Sequence, residues 1–392
     1  MMPLTDSILN IQGYGIEKVL SSNPLIFEVC YKKASCCRYC SSSSLRLKDS
    51  FRRKIRHESM GSRVVYLMLR AHKYLCRVCG KYFNDLFPGI LRHQRSTEGF
   101  RKEVFHKHLD GISQKALSKR LFIGQATIER WYQSFLKVLS SRVINNPSPR
   151  VLGIDEHFFT KKKGYATTLC DLGGRRIYDV VLGRTSSSLR NYLSNIHNPD
   201  NTKVIVMDLS ESYRRIAKEH FGHAKIVADR FHVIRLVNHH FLKTWQLIDP
   251  LGRKNRGLLS LMRRHEWRMT YDQKRRLSQY FYKNPALYAI WGFKHKLMTL
   301  LLKKKQTARQ CRRLIPIFLR YIDSLVNSKF EPLITLGKTL RSWSEEIVRM
   351  FRFTRSNGIT EGFHNKMEQI SRRAYGFRNF NNYRLRVRAL CS

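Results

Sequence analysis

Three short apolar runs in this chain each end in an aspartate: Val151-Leu-Gly-Ile-Asp155, Lys203-Val-Ile-Val-Met-Asp208 and Lys225-Ile-Val-Ala-Asp229. Runs that are apolar at successive positions, not alternate ones, belong to central strands covered on both faces. The sequence between them keeps to that plan. Tyr165 to Leu172 and Arg176 to Leu182 read as strands joined by a turn at Gly173-Gly174. Ser186 to Ile196 reads as a helix. Tyr213, Ile216, Ala217, His220 and Phe221 mark a second, amphipathic one.

The resulting order, β-β-β-α-β-α-β, predicts an α/β fold with an RNase-H-like catalytic core. Its first and fourth strands are neighbours, so Asp155 and Asp208 are expected side by side at one sheet edge. The chain has 74 Lys and Arg against 28 Asp and Glu, a net charge of +46. Acids at strand ends are therefore conspicuous. A charge of this size calls for a polyanion, and nucleic acid is the obvious one. Carboxylates in a DNA cleft repel phosphate and raise each other's pKa unless a cation lies between them. Mg²⁺ (or Mn²⁺) suits such oxygen ligands. A pair of ions about 3.5–4 Å apart can activate water and stabilise a leaving 3′ oxygen. Asp155, Asp208 and Glu361 are the candidate catalytic and Mg²⁺-holding residues; Glu361 opens a later helix beside Gly362. Asp229 competes for the second or third place. With His232, three residues on, it reads as a supporting pair behind the metal ligands.

The nine cysteines include two Cys-x-x-Cys pairs, Cys37-Arg-Tyr-Cys40 and Cys76-Arg-Val-Cys79. Four thiolates from two such knuckles suit one tetrahedral Zn²⁺. The segment between them, with Val64 to Leu69 and then Tyr74 and Leu75, reads as strands. Residues 1–92 are thus expected to form a small zinc-ribbon-like module, with a basic patch at Arg52, Arg53, Lys54 and Arg56. The odd cysteine count argues against a disulfide framework.

Residues 97–145 read as a helix-turn-helix domain. Ser113 caps a helix ending at Leu121, Phe122-Ile-Gly124 is the turn, and a second helix starts at Gln125. Gln125, Thr127, Arg130 and Gln133 are the residues expected to face DNA. Asn145 to Pro149 is a linker. Residues 150–392 hold the core, interrupted at about 240–350 by a strongly basic helical insertion containing Trp245, Trp267, Trp291 and Trp343. A turn at Ser356-Asn-Gly358 precedes the helix of Glu361. At the end, Arg372, Arg373 and Arg378 begin a basic stripe that continues through Arg384, Arg386 and Arg388 and interleaves with Tyr375, Phe377, Phe380 and Tyr383, as DNA contact requires. No apolar run approaches the roughly 18 residues of a membrane span. Asp6 and Glu17 interrupt any secretory signal, so a cytoplasmic location is expected.

Five stretches carry a family resemblance: Leu152-Gly-Ile-Asp-Glu156, Val206-Met-Asp-Leu-Ser-Glu-Ser-Tyr213, Ala228-Asp-Arg-Phe-His-Val233, Ser356-Asn-Gly-Ile-Thr-Glu-Gly362 and Arg372-Arg-Ala-Tyr-Gly-Phe-Arg-Asn379. In these the chain resembles transposases of the ISL-three group of bacterial insertion sequences, which are RNase-H-like DDE enzymes. The resemblance implies the triad Asp155, Asp208 and Glu361, a bound divalent metal, an Asp-x-x-His motif at Asp229 and His232, and an N-terminal zinc-binding region. It implies binding of the element's terminal inverted repeats, strand cleavage and strand transfer. Joining two ends calls for a dimer or larger assembly on double-stranded DNA. The chain departs from the family's pattern at His364 and at Met367-Glu368, where Ile-Lys is usual. The rival reading is a DNA-binding regulator, or a decayed transposase, without catalysis.

Overall fold

The computed structural model describes residues 8–33, 35–144, 147–353 and 358–391. The predicted linker at Asn145-Asn146 and the Ser356-Asn357 part of the predicted turn lie outside them. The chain divides into two compact units, residues 1–138 and 139–392.

The first unit is built on a five-stranded sheet. Its strands are β1 (Tyr14–Ser22), β2 (Leu25–Tyr31), β3 (Leu45–Met60), β4 (Arg63–Cys76) and β5 (Tyr82–Asn84), in the order β1-β2-β4-β3 with β5 also on β4. β3 and β4 form one long hairpin turning at Gly61 (φ +64°). β4 runs unbroken through the two strands expected there, because alternate residues Val65, Leu67, Leu69 and Ala71 fill one core with Phe27, Val29 and Ile55. Helices α1 (Glu98–Leu109), α2 (Gln114–Leu121) and α3 (Gln125–Ile144) follow. Phe100, Val104, Leu117, Leu121 and Ile128 pack between them. Ser113 caps α2 by accepting from the Ala116 N–H, and Phe122 ends it in the left-handed conformation.

The second unit centres on a mixed sheet of order β10-β9-β6-β7-β8: β6 (Val151–Thr160), β7 (Gly164–Asp171), β8 (Arg176–Leu182), β9 (Val204–Met207) and β10 (Lys225–Ala228). β6, β9 and β10 are parallel, while β6, β7 and β8 are antiparallel. Helices α4 (Ser186–Leu193) and α5 (Glu211–His220) cover one face, against Leu152, Ile154, Ile205 and Met207. The alternate residues Val204 and Val206 face a larger core shared with the C-terminal helices. Those begin with α6 (Arg230–Ile248). They continue as α7 (Pro250–Lys254), α8 (Arg256–Arg263), α9 (Tyr271–Lys283), α10 (Pro285–Leu301), α11 (Ala308–Val326), α12 (Glu331–Ser342) and α13 (Ser344–Arg352), and end in α14 (Gly358–Arg373) and α15 (Phe380–Leu390). The helical region opens at Arg230, not near 240, because α6 runs straight on from the end of β10. No helix among the described residues is long and apolar enough to cross a membrane.

Arg230 ties this assembly together at the site end. Its buried guanidinium donates to the carbonyls of Leu301 (3.0 Å), Lys303 (2.9 Å) and Met350 (2.7 Å), closing the C-terminal ends of α10 and α13 onto the first turn of α6. A charged donor bound to three carbonyls contributes more than a neutral pair, and removing it strands two buried acceptors, those of Leu301 and Met350. Arg230→Met is expected to lower the unfolding free energy by about 3–5 kcal/mol, read from denaturant melts. A loss under about 1 kcal/mol would show that water replaces the guanidinium freely.

Candidate active site and cysteine cluster

The parallel register aligns Ile154 with Met207 and Met207 with Ala228. The next residue on each strand path is an aspartate. Asp155, Asp208 and Asp229 therefore form one row across three adjacent strands. Asp155 does not end its strand as expected. β6 continues to Thr160, because past Ile154 it loses β9 and still pairs with β7. Asp208 is not spent on capping α5, since Ser210 does that by accepting from the Tyr213 N–H. Asp229 stands at the N-cap position of α6 without a side-chain cap hydrogen bond.

Oxygens of Asp155 and Asp208 and a nitrogen of His232 all lie within 4.8 Å of one another. His232 Nε2 is 3.0 Å from Asp208 Oδ1 and 3.8 Å from Asp229 Oδ2. Asp155 is 8% exposed. Burial, with the charge of Asp208 added, pushes its carboxyl up to about 7. Burial alone would depress the His232 imidazole; contact with Asp208 and its charge outweigh that and raise it. The acids around this ring thus favour its charged form. Glu361 is exposed on the first turn of α14. It lines a cleft of about 160 Å³ with Asp155, Asp229, His232 and His364, but it is not in the close cluster. Asp208 and His232 also border a wider cleft of about 630 Å³ that carries Arg184 and Arg235.

Sequence reasoning missed a polar chain behind Asp155. His157 bonds Tyr383 Oη (3.0 Å) through Nε2 and Thr168 Oγ1 (2.9 Å) through Nδ1. His364 Nε2 meets the same Thr168 oxygen at 3.1 Å, and its Nδ1 is 3.9 Å from Asp155 Oδ2. Burial holds His157 down to about 3 and His364 to about 4. Period-two alternation along β6 was the available signal, since it places His157 on the face of Asp155.

The four thiols of Cys37, Cys40, Cys76 and Cys79 come together within 4.8 Å. Cys37 Sγ lies 3.6 Å from Cys79 Sγ, and Cys40 Sγ 3.5 Å from Cys76 Sγ. The two knuckles repeat one geometry. Ser41 N–H bonds Cys37 O and Gly80 N–H bonds Cys76 O, and Ser41 (φ +59°) and Gly80 (φ +67°) are both left-handed. Backbone N–H groups of Cys79 and Val78 lower the Cys76 thiol to about 6.

A sequence model of transposases of the ISL-three group matches residues 152–387. The chain belongs to this family. It is a DNA transposase. It is 22% identical, over 403 aligned positions, to the transposase for insertion sequence element IS1001 of Bordetella parapertussis, and the match covers 98% of this chain and 97% of that one.

Other predicted contacts of the transposase are distributed unevenly. On α3, Gln125 and Arg130 are exposed, while Thr127 accepts from Arg130 (3.2 Å) and Gln133 donates to Glu129 (2.7 Å). Arg372, Arg373 and Arg378 are exposed, with Arg372 paired to Glu368 at 2.7 Å. Arg384 and Arg388 instead converge on the buried carboxylate of Asp179 (2.6 and 3.6 Å), and Arg386 is buried beside Phe377. Arg56 is no part of the surface patch, because it is buried over Phe100, 4.7 Å from the ring centroid.

Asp155 keeps its proton in the fold where the unfolded chain, with an ordinary value of 3.8, loses it. This contribution is whole below pH 4 and lost as pH rises to about 7. In Mg²⁺-free buffer, Asp155→Asn is expected to gain stability over the parent across that window, by up to about 4 kcal/mol. Parallel melting profiles for the two proteins would contradict this.

Proposed function

We propose that this transposase is a metal-dependent DDE enzyme that cleaves the strand at its element's ends and joins the freed 3′-OH to target DNA. The row of Asp155, Asp208 and Asp229 on adjacent parallel strands carries this reading. Strand order β8-β7-β6-β9-β10, with helices on both faces, fits an RNase-H-like core over residues 150–392, and the helices of about 240–350 fit its insertion.

The donors suit a hard divalent cation. Asp155, buried, and Asp208, half-buried, offer oxygen ligands, and a cation would offset the burial and the Asp208 charge that together raise the Asp155 carboxyl. When bound, Mg²⁺ or Mn²⁺ would lower the pKa of water and polarise the scissile phosphate. Asp155 and Asp208 would hold it, with Glu361 completing the set from α14 once DNA fills the cleft. His232, 3.0 Å from Asp208, would give up that contact to the cation and stay beside Asp229. His364, fixed by Thr168, faces the Asp155 carboxylate from 3.9 Å. The arginines at the wider cleft, Arg184 and Arg235, neutralise backbone phosphates.

The cysteine cluster would hold one structural Zn²⁺ in a module of residues 1–92. Sulfurs around zinc at about 2.3 Å lie about 3.8 Å apart in a tetrahedron, close to the spacing of the four thiols. Helices of residues 97–145 would act as a helix-turn-helix, with Gln125, Thr127, Arg130 and Gln133 over the major groove. Arg372, Arg373 and Arg378 would contact element-end phosphates. A dimer or larger assembly would hold both ends of double-stranded DNA, in the cytoplasm.

Purified protein is expected to nick a DNA carrying its own flanking repeat in Mg²⁺ and not in EDTA. Asp155→Asn should cut at least about a thousandfold more slowly, the scale of losing a principal electrostatic group, while binding the repeat unchanged. The protein should also carry equimolar zinc, lost in Cys40→Ser. Retained cleavage by Asp155→Asn would overturn the assignment.

A further inference from the structure

Trp267 is 72% exposed. It stands on the short turn Glu266–Arg268 that follows α8. The chain on either side of the turn is anchored, since Met262 and Met269 are buried against Trp245 and Trp291. The indole is thus presented by a fixed support. By contrast Trp245, Trp291 and Trp343 are all buried. His265 stacks against Trp267 with centroids 5.9 Å apart and rings inclined by 28°. The Arg268 guanidinium lies 4.6 Å from the indole centroid. A groove of about 430 Å³ runs beside them, lined by Arg256, Arg263, Arg264, His265 and Arg268 and by no carboxylate.

We propose that this surface binds an unpaired stretch of the DNA substrate, with Trp267 stacked on a base and Arg256, Arg263, Arg264 and Arg268 on the phosphates beside it. The proposal rests on the chain's being a DNA transposase. Phosphate neutralisation alone needs no exposed indole. Stacking does, and base faces are free only where the duplex is unpaired. A second copy of so basic a chain is repelled from four arginines. The surface is also joined through its anchors to the helix that carries His232. Trp245, against which its anchors pack, follows His232 on α6 by about 20 Å at 1.5 Å per residue.

The test compares a blunt duplex with the same duplex bearing a short single-stranded thymine tail, by fluorescence anisotropy on the full chain at fixed salt. The parent is expected to prefer the tailed duplex. Trp267→Ala should weaken the tailed duplex by about tenfold or more, on the scale of one base stack, and leave the blunt duplex unchanged. Trp267→Phe should restore most of the difference. 2-Aminopurine placed in the tail should be quenched by the parent and not by Trp267→Ala. Unchanged affinity of Trp267→Ala for the tailed duplex, or an equal loss on both duplexes, would overturn the proposal. If the parent binds neither duplex, the DNA-binding reading fails with it.

Discussion

Parallel pairing of β6, β9 and β10 sets where the three aspartates of the site stand. Hydrogen bonding fixes the register at Ile154, Met207 and Ala228, and each following residue is an aspartate. Nothing else in so basic a chain would hold three carboxylates together, since they repel one another and lose hydration when buried. The cost is met by the apolar layers on both sheet faces and by local devices. Asp155 retains a proton, His232 leans between Asp208 and Asp229, and Arg230 fastens the helix that carries His232 to the ends of α10 and α13.

The same economy of charge explains how the arginines are sorted. Those near a buried acid turn inward, as Arg384 and Arg388 do on Asp179, and Arg214 on Glu346. Others remain outside where no acid competes for them, as at Arg372's neighbour Arg373, at Arg378 and around Trp267. A sequence count of positive charge cannot make this division, because it depends on which carboxylate, carbonyl or aromatic ring the fold brings within reach, as Arg230 and Arg56 also show.

Much of the core was legible in advance for a physical reason. A strand buried on both faces must be apolar at successive positions, so the runs ending at Asp155, Asp208 and Asp229 stood out. The Cys-x-x-Cys knuckles were legible because thiols so spaced have few other uses. Less legible were features set by long-range contact. β6 continues past Asp155 because β7 reaches further along it than β9 does. Arg56 is buried because α1 lays Phe100 over it. The His157, Thr168 and His364 chain joins residues far apart in sequence, and only the inward face of His157 could have been read beforehand. Glu361 belongs to the cleft yet lies outside the close cluster, a distance no motif encodes.

The central claim is that the aspartate row is a divalent-cation site. Crystals of the protein soaked in Mn²⁺ and measured at an anomalous wavelength test it directly. The account predicts an anomalous peak in contact with both Asp155 and Asp208, with His232 displaced from Asp208. A map with no peak at these carboxylates, or one in which His232 keeps its contact with Asp208 and the metal binds elsewhere, would contradict it.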